Sequence, residues 1–167
     1  IRLTVPTPEC AKTIYEMKNA GIAVPLVADI HFDYRAALEA AAAGADKLRI
    51  NPGNIGGCEE VKAVAHECQK RGIPIRVGVN GGSVEKELLA KYGSATPEAL
   101  AESALDNAAL LEKYGFNDIV ISVKSSSPQD TVAANRIAAE KCAYPFHIGV
   151  TEAGSGDEAL IKSSAGI

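Results

Sequence analysis

The chain has 167 residues, 47% of them hydrophobic, and its 17 Lys and Arg against 21 Asp and Glu leave a net charge of −4. That composition fills one globular core and argues against nucleic acid as a partner, because gripping a phosphate backbone takes a basic surface. Trp is absent and aromatics are 5%, which disfavours base-stacking platforms, and no apolar run approaches the ~20 residues that span a bilayer, so no membrane is expected. Ile1 opens a β-like run with neither an initiator Met nor a signal peptide before it, so the chain reads as an excerpt of something longer.

In chain order, short β-branched runs alternate with stretches of helical spacing. Ile1–Val5 reads as a strand. Thr7-Pro8-Glu9 then opens a helix, with Thr7 as N-cap and Pro8 in the first turn, closing near Asn19-Ala20-Gly21. Pro25–Ile30 is the second strand, and Asp33 starts a helix that runs through Ala36–Ala43 to Gly44. Lys47–Ile50 is the third, followed by a helix over Glu59–Arg71 that stops at Gly72. After the fourth strand, Pro74–Val79, come a short extra helix over Ser83–Lys91 ending at Gly93 and a longer one, capped by Thr96-Pro97-Glu98, reaching Tyr114-Gly115. Asp118–Lys124 is the fifth, and its helix starts at Ser127-Pro128 or Asp130 and ends near Cys142. Pro145–Thr151 reads as a sixth strand, and Asp157 opens a last helix. Gly44, Gly72 and Gly115 fit positions just past a helix end, where a left-handed backbone is needed.

Six β/α units in strict alternation predict a parallel sheet with helical crossovers. An open doubly wound sheet and a (β/α)₈ barrel both satisfy that pattern. Polar residues at nearly every strand's C-terminal end favour the barrel, whose strands all aim at one mouth. No GxGxxG or P-loop follows the first strand. The expectation is therefore one α/β domain over residues 1–167: an incomplete (β/α)₈ TIM-type barrel with about six of the eight β/α units.

Reading each strand to its end collects Arg2 and Thr4; Asp29 and His31; Arg49, Asn51, Pro52 and Gly53; Arg76, Asn80, Gly81 and Gly82; Ser122 and Lys124; His147, Gly149, Thr151 and Glu152. Three arginines in otherwise apolar strands are costly to bury unless paired. Asp29 and Glu152 are too few to neutralise Arg2, Arg49, Arg76 and Lys124, so net positive charge is left over. Such a mouth in an acidic protein asks for an anion with several oxygens, a phosphate or diphosphate. Glycines 53, 56, 57, 81 and 82 let backbone N–H groups approach an anion, although ordinary tight turns explain Gly56-Gly57 as well. Lys124 reads either as a charge clamp or as a Schiff-base nucleophile. Glu152, Asp29 and His31 are the acid/base candidates, with His31 equally readable as a hydrogen-bonded structural group. His147 reads as a satisfied core histidine and His66 as a surface residue. Cys10, Cys58, Cys68 and Cys142 are widely spaced with no CxxC, so neither a disulfide framework nor a metal site is expected in this chain.

The motifs taken together carry a resemblance. Val5-Pro6-Thr7, the run from Val24 to Arg35 (VPLVADIHFDYR), the run from Leu48 to Gly56 (LRINPGNIG), Ile75–Asn80 (IRVGVN), Glu85-Lys86, Ser122-Val123-Lys124 and Ile148–Gly154 (IGVTEAG) resemble the 4-hydroxy-3-methylbut-2-enyl-diphosphate synthase family of the non-mevalonate isoprenoid pathway. The two long central motifs are specific, and the likeness spans essentially the whole chain.

The resemblance implies reductive ring opening of 2-C-methyl-D-erythritol 2,4-cyclodiphosphate by an iron–sulfur oxidoreductase. It implies a [4Fe–4S] cluster held on three Cys and one Glu of a separate C-terminal domain absent from this chain, and flavodoxin or ferredoxin as electron donor. It further implies a homodimer and a setting in the bacterial cytoplasm or a plastid. By motif, Arg2, Arg49, Arg76 and Lys124 look like the diphosphate clamp, Asn51, Asn80 and His31 like polar positioning groups, and Glu152 like the carboxylate near the substrate hydroxyls. None of the four cysteines matches a cluster ligand. The competing readings are a Schiff-base aldolase using Lys124 and a non-catalytic anion-binding domain.

Overall fold

The computed structural model describes residues 1–167. Its strands are β1 (Arg2–Thr4), β2 (Val27–Asp29), β3 (Lys47–Ile50), β4 (Ile75–Asn80) and β5 (Ile119–Lys124), hydrogen-bonded in that order. A sequential order suits a barrel; a doubly wound sheet reverses its order at a switch point, and none occurs here. No helix is long and apolar enough to cross a membrane. The chain divides into two compact units, residues 1–77 with 109–119, and residues 78–108 with 120–167.

In the first unit, β1, β2, β3 and the start of β4 pair in parallel. The edge continues where the Ile75 N–H donates to the Asp118 carbonyl at 2.9 Å. The helices are α1 (Lys12–Asn19), α2 (Tyr34–Ala42) and α3 (Cys58–Arg71). The face that α2 buries is all alanine, Ala36, Ala37, Ala40 and Ala41, and side chains this small let it lie close against α3 and the Pro8–Ala11 turn. Asp33 caps α2 as expected, its carboxylate accepting from the Arg35 N–H at 2.9 Å. Gly72 closes α3 at φ 66°, a left-handed conformation that penalises any side chain. The first predicted helix begins differently: Pro8–Ala11 is 3₁₀, and α1 follows it. Thr7 makes no capping hydrogen bond, and its hydroxyl turns instead to the Cys10 sulfur at 3.5 Å.

The second unit holds the rest of β4, α4 (Lys86–Tyr92), most of α5 (Pro97–Lys113), nearly all of β5, α6 (Pro128–Ala139) and α7 (Gly156–Gly166). The predicted Ser83–Lys91 helix resolves into a 3₁₀ turn at Gly81–Ser83 and α4. Its core is the Ala99, Leu100, Ala104 and Ala108 face of α5 with Val84 and Leu88, and Ile121 and Val123 of β5. Two buried polar residues of α6 fasten that helix to the end of β5: Asn135 Nδ2 donates to the Val123 carbonyl at 2.9 Å, and the Thr131 hydroxyl accepts from the Ser125 N–H at 3.1 Å.

The sixth strand expected over Pro145–Thr151 is reduced to a single bridge between Ile121 and Phe146. Two hydrogen bonds frame it, Ile121 N–H to Pro145 O at 2.9 Å and His147 N–H to Ile121 O at 2.8 Å, and contact resumes at Thr151 N–H to Ser125 O, 3.0 Å. Between them Ile148 is exposed and Gly149 brings no side chain of its own, so the segment offers little to complete a pleated strand.

Candidate functional site

The register of the first unit explains how distant residues meet. Thr4 pairs with Asp29, Asp29 with Arg49, and Arg49 with Arg76, so one lateral row crosses four parallel strands. Residues level with one another in a sheet point to the same face, and Arg2, two positions before Thr4, shares it. The alternation that buries Leu48, Ile50, Ile75 and Val77 thereby also sets three charges of one row side by side.

Asp29, nearly buried, answers two of the three arginines. Arg49 Nη1 donates to its Oδ1 at 3.0 Å, and Arg2 Nε stands 3.6 Å from its Oδ2. Arg76 is left out. It is 5% exposed, and its Nε is buried with no hydrogen-bond partner. Burial first, then the neighbouring Arg2 and Arg49 charges, push its guanidinium down to about 10, with Asp29 opposing. It is thus still a cation at neutral pH. Three guanidinium groups share one carboxylate, and the most deeply set of them faces like charge across the sheet, an arrangement that is unfavourable by itself.

The Arg2 side chain is 54% exposed. Asn51 is buried, and its Oδ1 accepts from the Gly53 N–H at 3.1 Å, which shapes the turn after β3. His31 makes no polar contact with the row, and its ring packs near that of the exposed Phe32. The Gly56-Gly57 loop is a tight turn. Gly56 has φ 140°, and the Glu60 side chain fills the space over both glycines, placing a carboxylate where an anion would have to sit.

In the second unit, Asn80 is occupied locally. Its Oδ1 accepts from the Gly82 N–H at 3.0 Å, and its own N–H donates to the Ser83 hydroxyl at 3.0 Å, a capping box on the turn after β4. Lys124 ends β5 half-buried, with its Nζ 3.4 Å from His147 Nε2. The reading of His147 as a core histidine is therefore corrected: it is exposed and lies against the lysine. The signal in the sequence was the spacing of His147 and Gly149, two apart on an extended segment and hence on one face. Glu152 is exposed and adopts φ 51°, the one non-glycine residue with a left-handed backbone.

The cysteines do not fit an iron–sulfur cluster. Cys58 and Cys68 lie on α3, separated by about 15 Å of helix rise. Burial, followed by the Glu67 charge, pushes the Cys68 thiol up to about 12, far from the thiolate a metal needs. All four thiols are free, and no group of three or more His, Cys, Asp or Glu side chains is placed to hold a metal ion.

Comparison with known proteins supplies the context. Residues 1–167 match the GcpE TIM-barrel domain. Proteins named 4-hydroxy-3-methylbut-2-en-1-yl diphosphate synthase (flavodoxin) align with the whole chain. The one from Caldanaerobacter subterraneus subsp. tengcongensis is 55% identical over 167 residues, with 47% of its length covered. That from Maridesulfovibrio salexigens is 54% identical with 46% covered, and that from Ruminiclostridium cellulolyticum 53% with 47%. The chain thus spans about half the length of the curated relatives it matches. A full-length domain match and more than half of all positions shared with these relatives, on an α/β chain with sequentially ordered strands, establish that this chain belongs to the GcpE TIM-barrel domain family.

Proposed function

We propose that this chain is the substrate-holding barrel of an enzyme that opens 2-C-methyl-D-erythritol 2,4-cyclodiphosphate reductively to 4-hydroxy-3-methylbut-2-enyl diphosphate. The net reaction takes up two electrons and two protons, breaks the ring C–O bond and a C–OH bond, and releases water. The observation that carries the reading is the buried Arg76 with its unpaired Nε, beside Arg2 and Arg49 and a single carboxylate. A row with that surplus is relieved by an external anion, and a diphosphate offers several oxygens to planar guanidinium donors.

Under this reading Arg2, Arg49 and Arg76 of the first unit grip the diphosphate, Asn51 and His31 are polar positioning groups beside them, and Asp29 and His31 are the acid/base candidates there. The resemblance makes Lys124 a clamp residue, Asn80 a positioning group and Glu152 the carboxylate for the substrate hydroxyls in the second unit. The contribution of these residues is charge neutralisation and orientation. A [4Fe–4S] cluster would supply the electrons. Because the four cysteines here do not fit it, we place it on protein outside residues 1–167, in the separate domain that the resemblance implies. Flavodoxin, which the relatives' names print, or ferredoxin would be the donor, and a homodimer in the bacterial cytoplasm or a plastid the working form.

The test is calorimetric titration of the chain with inorganic pyrophosphate and with the cyclic diphosphate. It is paired with turnover by a chimera in which this chain replaces the matching half of the Caldanaerobacter relative. Saturable binding that weakens sharply in Arg76→Met supports the proposal. Absence of binding to either ligand, or equal binding by Arg76→Met, removes the grip; a chimera that binds but never turns over removes the reaction.

A further inference from the structure

We infer that His147, together with the bare backbone of Gly149, positions the Lys124 ammonium; the functional weight of this rests on the reading of Lys124 as part of the diphosphate grip. Three observations, all within the second unit, carry it. Lys124 Nζ lies 3.4 Å from His147 Nε2. A side chain on Gly149 would begin 3.2 Å from the same Nζ and 3.4 Å from Cε, so the lysine lies across the space that Gly149 leaves open. The segment bearing both residues is registered against β5 by hydrogen bonds on either side of them, His147 N–H to Ile121 O at 2.8 Å and Thr151 N–H to Ser125 O at 3.0 Å.

The chemistry assigns the roles. A lysine ammonium only donates, so His147 Nε2 accepts, and the neutral ring carries its proton on Nδ1. A neutral acceptor fixes the direction of the ammonium without cancelling its charge. A carboxylate in the same place would hold the lysine equally well and neutralise it, which would spoil a cation meant for an anionic ligand. Gly149 has no positive φ, so its lack of a side chain answers to the space the lysine needs rather than to backbone conformation. His147 is accordingly a positioning residue that acts through Lys124.

The experiment measures, peptide by peptide, how fast trinitrobenzenesulfonate labels Lys124 in the chain, with exposed Lys86 as internal reference. An amine released from its acceptor reacts faster. His147→Phe and Gly149→Ala are expected to raise the Lys124 rate about fivefold, while His147→Gln, which keeps an acceptor, stays within about twofold of the parent. An unchanged rate in both His147→Phe and Gly149→Ala overturns the inference. Titration with inorganic pyrophosphate then links it to binding. His147→Phe is expected to weaken affinity about fivefold in the parent and to have no effect in a Lys124→Met background. Equal loss in both backgrounds overturns the inference, since His147 would then act without Lys124. Faster labelling with pyrophosphate affinity indifferent to both Lys124→Met and His147→Phe upholds the positioning and instead brings down the grip assigned to Lys124.

Discussion

In the first unit Arg76 sits inside a strand, nearly inaccessible, in line with Arg49 and within reach of the field of Arg2, with Asp29 already committed to both of its neighbours. In the second unit Lys124 sits at the end of its strand, half-exposed, against a neutral imidazole. Both places present a cation, but they hold it by different means. The arginine row is held by lateral registry, so its charges are locked at strand spacing and their repulsion is built into the fold. The lysine is set by a side chain on the neighbouring segment and by the space Gly149 leaves open, not by the lateral registry of a charged row. Function and stability should therefore be coupled in the first unit and separable in the second.

The sharpest way to break that contrast is Asp29→Asn. Removing the carboxylate that faces Arg2 and Arg49 takes away the negative charge of the row and should lower stability by ~3 kcal/mol, with much of the loss recovered in saturating pyrophosphate. Denaturant midpoints with and without ligand check it, and a variant as stable as the parent would dissolve the idea of a strained row. Arg76→Met comes next, with two effects of opposite sign. Pyrophosphate affinity should fall by ~2–3 kcal/mol, while the unliganded chain gains ~1–2 kcal/mol because a buried unpaired charge has gone. Calorimetry and unfolding on the same preparation read both.

Lys124→Met tests the other side of the comparison. It should weaken pyrophosphate binding by ~1 kcal/mol and move the unfolding midpoint within about 0.5 kcal/mol of the parent, since a half-exposed cation at a strand end contributes little to the fold. A large stability change there would erase the distinction between the units. The smallest effect is expected at Glu152, whose left-handed backbone at φ 51° disfavours a side chain. Glu152→Gly should stabilise by ~0.5–1 kcal/mol, read by thermal unfolding.

Much of this protein could be read along the chain. The alternation of β-branched runs and helical spacing placed all five strands in their right segments, and the stop signals were legible because they are local: Asp33 caps the residue two positions on, and Gly72 turns one helix end. The chemistry of the cations was legible too, since arginine in an apolar strand demands a partner wherever the strand goes. What lay beyond the sequence is what depends on neighbours far along the chain. That Asp29, Arg49 and Arg76 share one row is a fact of parallel registry, which a shift of one residue would undo. That Pro145–Thr151 forms a bridge rather than a strand depends on what packs beside Ile148 and Gly149. That His147 belongs to Lys124, and not to the core, was settled by which strand its segment leans on. Residue type determined which charges need partners; only the packing of strand on strand decided which partners they receive, because contact distances are set by registry and not by separation along the chain.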